Sequence, residues 1–156
     1  MIADTEGFKL TVLLCDAAQA VGGKLFVLGG GWSRVLVFQP TVNMALAVVV
    51  AIPWVQANQQ FELLIRLLDD NNRPVTIPGQ PGPVEVRGQL EAGRPPGLAA
   101  GTPLDSSFAV SFALPFEPGI YVWETSVVGH VTDTTRFEVV RGQMPGIPPS
   151  LPPGRP

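Results

Sequence analysis

A chain of 156 residues with 46% apolar side chains is long enough to bury a core without a metal or disulfide frame, and too apolar for a disordered segment. Its net charge is −3, only 15% of its residues are charged, and its basic residues are scattered from Lys9 to Arg155, which argues against a phosphate-tracking stripe and a nucleic-acid partner. The single Cys15 excludes an internal disulfide.

Bulky side chains at every second position predict strands, because alternation places one face of a pleated strand in a core. Phe8 to Cys15 reads as the first, and Asp16 to Ala20 as a single helical turn before Gly22 and Gly23. Lys24 to Leu28 follows, and the Gly29–Gly31 run turns it into Trp32 to Phe38, a tight meander. Val42 to Ile52 contains the longest apolar run, nine residues from Met44; a membrane helix needs about 20, so it reads as a central strand and no membrane partner is expected. Pro53 begins a helical turn, Phe61 to Leu68 is a strand, and Asp69-Asp-Asn-Asn72 is a turn. A short strand near Val75 to Ile77 precedes a Pro/Gly stretch. Val84, Val86 and Leu90 then alternate with Glu85, Arg87, Gln89 and Glu91, as on a sheet with one solvated face. The irregular segment Gly93 to Pro103 leads to Phe108 to Leu114, and Ile120 to Val128 with Thr135 to Val140 form a closing hairpin. Leu64 and Leu68 point away from the face of Phe61, Leu63, Ile65 and Leu67, so both faces of that strand are expected to be covered.

These elements predict an all-β protein, a single antiparallel β-sandwich of about seven to nine strands, immunoglobulin-like or a related Greek key. The domain spans residues 8–142, after an N-terminal segment 1–7 and before a Pro-rich extended tail 143–156. Met1 to Gly7 carries Asp4 and Glu6 and no basic stretch, which predicts no secretory signal and a cytoplasmic protein.

Leu13-Leu-Cys-Asp-Ala-Ala-Gln19, Gly23-Lys24-Leu25 and Gly29-Gly-Gly-Trp32 resemble the opening of small proteins from actinobacterial genomes catalogued only as a domain of unknown function. Pro53-Trp54, Ala57-Asn58, Gly93-Arg-Pro-Pro-Gly97, Gly101-Thr-Pro-Leu104, and Pro118-Gly119 with Tyr121 and Trp123 look like that family's other recurring features. The resemblance implies an intracellular all-β protein, virion-associated if phage-encoded, and carries over no activity, ligand or catalytic residue. The closing hairpin also resembles the last strands of immunoglobulin-like sandwiches, with Tyr121, Trp123 and Val127 toward the core.

Several residues invite a chemical reading. Gly29–Gly31 follows a strand as a phosphate loop does, but a strand and not a helix comes next, so a glycine-rich hairpin or bulge is expected. Asp69 and Asp70 are weak metal candidates: with Asn71, Asn72 and Asp105 or Asp133 they offer oxygen ligands for calcium, yet the spacing fits no EF-hand and such loops are usually turns. His130, the only histidine, reads as an exposed turn residue, since nucleophilic catalysis would need a Ser, Thr or Cys15 beside it and a carboxylate such as Asp133. Glu62, Glu85, Glu91, Glu124 and Glu138 lie on strands; a solvated face that pairs Glu85, Glu91 and Glu138 with Arg87, Arg136 or Arg141 explains them better than glycoside chemistry.

No catalytic constellation is recognisable, so no enzyme, cofactor or metal is expected. The chain reads as a structural or interaction module that self-associates or docks on a larger assembly, including a phage particle. Arg94, Pro95, Pro96, Leu98 and Leu104 on the Pro/Gly loop, and Ile147 and Leu151 on the tail, are its expected contacts, because proline-fixed backbone loses little entropy on docking. The alternative is a sandwich binding a small molecule or carbohydrate near Trp32, Trp54 and Trp123.

Overall fold

The structure, a computed structural model, describes residues 7–142. Nine strands follow in order: β1 (Lys9–Val21), β2 (Lys24–Gly30), β3 (Arg34–Val37), β4 (Val42–Ile52), β5 (Phe61–Asp69), β6 (Glu85–Leu90), β7 (Leu104–Leu114), β8 (Gly119–Val127) and β9 (Val131–Arg141). They build a β-sandwich of two sheets, ordered β2-β1-β4-β7 and β3-β9-β8-β5-β6. Every pairing is antiparallel except that of β3 with β9.

The alternation explains the core. Met44, Leu46, Val48, Val50 and Ile52 of β4 turn inward against Phe61, Leu63, Ile65 and Leu67 of β5 and against Trp123, Val127, Phe137 and Val139 of β8 and β9. The Trp123 ring stacks on Phe112 of the opposite sheet with centroids 4.2 Å apart, and its Nε1 donates to Met44 Sδ at 3.3 Å. Thr125 is the exception in this apolar interior: it is fully buried, and its hydroxyl finds no hydrogen-bond partner among the described residues. A desolvated hydroxyl without a partner costs about 1–3 kcal/mol. Thr125→Val keeps the branched shape and removes that cost, so stability should rise by about 1 kcal/mol, a gain of about 2–4 °C in a calorimetric melt.

Three sequence expectations are corrected. Asp16–Ala20 is not a helical turn: β1 runs extended to Val21, because β2 pairs with it from Cys15↔Gly30 to Val21↔Lys24. β2 and β3 are not a meander either, since Gly29–Gly31 carries the chain from one sheet into the other, where β3 lies parallel to β9. Val75–Ile77 forms only isolated bridges, at Leu68↔Pro74 and Thr76↔Pro83. The turn begun by Pro53 is a 3-10 turn, Trp54–Gln56, closed by the Gln56 N–H on the Pro53 carbonyl. Leu68 is buried within the chain itself, where Val75 and Val84 bond back along the end of β5, so its cover needs no partner.

Candidate interaction surface

The longest strand of the first sheet outruns its neighbour. β1 pairs with β4 only from Lys9↔Ala51 to Cys15↔Ala45, and from there to Val21 its partner is β2 alone. The two strands therefore leave the sheet as a ribbon. Its turn, Gly22-Gly23, has positive φ at both residues, +59° and +74°, which a two-residue hairpin of the primed type requires and which only glycine adopts freely. At its base Gly29 (φ +61°) lies against the Asp16 carboxylate, and Gly30 beneath Leu13, where side chains would collide.

One face of the ribbon returns over the outer surface of the first sheet. Ala18 and Leu25 pack on Cys15, Ala45 and Ala47, a second apolar cluster separate from the main core. Small side chains permit this approach. The Cys15 Sγ donates to the Ala45 carbonyl at 3.4 Å, and burial, helped by the negative Asp16, pushes its thiol pKa up. The other face looks outward: the register sets Gln19 opposite Phe26 and Ala17 opposite Leu28, with Phe26 59% and Leu28 71% exposed. Val21 shares this face and is exposed, and Val27, opposite Ala18, is exposed on the other.

The predicted Pro/Gly loop is held in place. The Arg94 guanidinium lies 4.7 Å from the centre of the Trp54 ring, and its Nη2 donates to the Trp54 carbonyl at 2.8 Å. Arg94 is thus engaged within the chain, and Pro95, Pro96 and Leu98 are exposed on the loop it anchors. Leu104 is a correction: it is 3% exposed, opposite Ile52 at the start of β7, and cannot serve as an anchor. Ile147 and Leu151 lie outside the described residues.

The titratable candidates do not converge. Asp69 Oδ1 accepts the N–H groups of Asn71 and Arg73, closing a turn in which Asn72 has φ +59°, while Asp70 faces Arg136 at 3.5 Å. Among the described residues no three ligating side chains gather. His130 is exposed at its turn, yet its ring rests on Phe8, centroids 4.3 Å apart, and edge-on to Phe61; the Asp133 carboxylate accepts the Thr134 N–H. Glu62 and Glu85 pair with Arg87, and Glu124 with Arg66; Glu138 pairs with Arg34, not with Arg136 or Arg141 as expected, because β3 is its neighbour. Trp32 and Trp123 both pack on Phe137, with ring centroids 6.3 and 6.4 Å away, and Trp54 lies under Arg94; none of the three lines either of two adjoining cavities of about 420 and 320 Å³ that share Pro115, Phe116 and Glu117.

The ribbon is the feature that residue-by-residue reading missed. Gly22-Gly23 between two strand-like runs was its available signal. Which of its faces is covered depends on the path past β4, and no local pattern encodes that.

The profile of a family of unknown function, DUF6941, matches residues 10–140. No curated protein matches the sequence. Among solved structures, a β-glucosidase from Listeria innocua in complex with glucose is similar at a TM-score of 0.41 and 13% identity over 86% of this chain, which spans only 16% of that enzyme. The ApaA protein from Bordetella pertussis is similar at a TM-score of 0.33 and 16% identity, over 88% of this chain and 98% of that one. Neither likeness brings an activity to this chain.

Proposed function

The chain belongs to the DUF6941 family of unknown function, and from that premise we propose that it is a non-catalytic structural or interaction module, a subunit that self-associates or docks on a larger assembly. The observation that carries this reading is the ribbon: Val21, Phe26 and Leu28 share its outward face and are exposed, with Val27 exposed on the other, whereas the strand carboxylates Glu62, Glu85, Glu124 and Glu138 are neutralised by arginines. Contiguous exposed apolar surface on a small domain marks a contact site. The pinned loop at Pro95, Pro96 and Leu98 adds a second, more rigid contact.

The fold reading extends to an immunoglobulin-like sandwich. It is supported by the strand order β9-β8-β5-β6 facing β1-β4-β7, and by the Tyr121 hydroxyl, which donates to the Glu117 carbonyl at 2.7 Å across the β7–β8 corner. A cytoplasmic setting, or a virion for a phage-encoded copy, fits the single buried Cys15.

The test is migration in host extract. The full chain should run well above its 16.6 kDa mass, and the double variant Phe26→Ser, Leu28→Ser should fall to that mass while melting like the parent. A parent chain that runs as a monomer both purified and in extract overturns the reading. Small-molecule binding is the second reading, favoured by the 320 Å³ cavity at the sandwich end, lined by Leu67, Val75, Ile77 and Tyr121. A melting shift with apolar ligands or sugars would support it, and none across a panel would exclude it.

A further inference from the structure

Resting on the interaction reading above, we propose that the ribbon's partner is a second copy of this chain, joined by antiparallel pairing of β2 with β2 across a two-fold axis at Val27.

Unpaired strand edges invite another chain, and proteins blunt them with charge, proline or brevity. Two of the four sheet edges are blunted so: β6 carries Glu85 and Arg87 and follows Pro83, and β3 has only four residues, Arg34–Val37. β7 is longer and has one charge, Asp105, but its exposed side chains, Asp105, Ser111 and Ala113, present no large apolar group. β2 joins an open edge to exposed Phe26, Val27 and Leu28: it has seven residues, no proline, one charge at its first position, and no backbone partner on its outer side among the described residues.

Its sequence is also complementary to itself. Antiparallel pairing about Val27 sets Phe26 of each copy opposite Leu28 of the other, on the face the ribbon turns away from its own sheet. Directly opposed side chains of this kind are the unit of sheet stabilisation. The one charge does not meet its twin. Lys24 falls opposite Gly30 of the other copy, so the two lysines stand at opposite ends of the pairing and do not repel. The axis makes each contact occur twice, as an isologous dimer requires.

Phe26, Val27 and Leu28 of the edge strand, between 40% and 71% exposed, offer on the order of 300 Å² of apolar surface per copy, Phe26 and Leu28 on one face of the new pairing and Val27 on the other. The open backbone edge of β2 adds its ladder hydrogen bonds. The product is a single eight-stranded sheet, twice the four-stranded one, with β2 strands at its centre.

Light scattering on the purified full chain at micromolar concentration should give twice 16.6 kDa. The variant Phe26→Ser, Leu28→Ser should keep the parent's strand circular dichroism and raise the dissociation constant by roughly a hundredfold or more. Val27→Cys places one thiol beside its twin at the axis, while native Cys15 is buried; mild oxidation should yield a covalent dimer. Lys24→Cys puts the twin thiols at opposite ends of the pairing, about 20 Å apart, and should yield almost none. A monomer at every concentration, a serine variant that still dimerises, or equal cross-linking at both positions overturns the proposal. If the purified chain is monomeric but runs heavy in host extract through Phe26 and Leu28, the second-copy proposal falls and the interaction reading stands.

Discussion

Trp123→Ala is expected to remove about 3–5 kcal/mol of folding free energy, which a domain with a total near 5–15 kcal/mol barely survives. The side chain is fully enclosed where the two sheets meet. Its ring lies 4.2 Å from Phe112 across the sandwich and 6.4 Å from Phe137 beside it, so truncation strips contacts from both sheets at once. The Trp123 Nε1 bond to Met44 Sδ adds a separable part. Met44→Leu fills nearly the same volume but leaves that N–H without an acceptor, at a cost of about 1–2 kcal/mol. In a Trp123→Phe background the same change should be close to neutral, because the donor is gone. Urea unfolding of the four chains measures this coupling; a Met44→Leu cost that persists in the Trp123→Phe background would show that shape alone, and not the bond, is at work.

The strands that face the interior were readable because their alternation has a physical consequence: Phe61, Leu63, Ile65 and Leu67 share a face, and all four are buried. The uninterrupted run in β4 was readable too, and its outward residues Ala45 and Ala47 are covered as a central strand's are. Sheet membership was not. A glycine run such as Gly29–Gly31 permits a return to the same sheet or a crossing to the other, and only the space beside β9 decides between them. Alanine-rich Asp16–Ala20 has local helix propensity, overridden when Gly22-Gly23 folds β2 back along it. Leu104 looked like a loop residue because Pro103 precedes it, while its burial comes from Ile52, far away in sequence. The candidate surface was hidden for the same reason: Phe26 and Leu28 have the alternation of core residues, and their exposure follows from the ribbon leaving β4.

The seat of the ribbon makes the second strong prediction. Ala45 is completely buried on the outer face of β4, beneath Cys15 and the ribbon residues Ala18 and Leu25. Ala45→Leu adds three heavy atoms where no room exists, at a cost of about 1–3 kcal/mol. The main core lies on the other side of β4, so the strain is relieved by lifting the ribbon and not by opening the sandwich. Cys15 reports the difference. In the parent its thiol is enclosed, and its pKa is raised, first by burial and then by Asp16, so thiolate is scarce at neutral pH and a thiol reagent should react only as fast as the chain opens. Stability shifts in the same sense: the folded state holds the proton more tightly than the unfolded one, so this contribution is whole below the unfolded pKa, about 8.5, and is lost as pH rises above it. Ala45→Leu should speed thiol modification in native buffer and bring its pH dependence down toward that of a free cysteine. Ala51→Leu, on the same face of β4 but outside the cluster beneath the ribbon, should leave Cys15 protected. Equal protection in both variants would mean that the ribbon is not seated on Ala45. Fast modification only in Ala45→Leu, with the core melt preserved, would identify the ribbon as an element that moves on the sandwich as a unit.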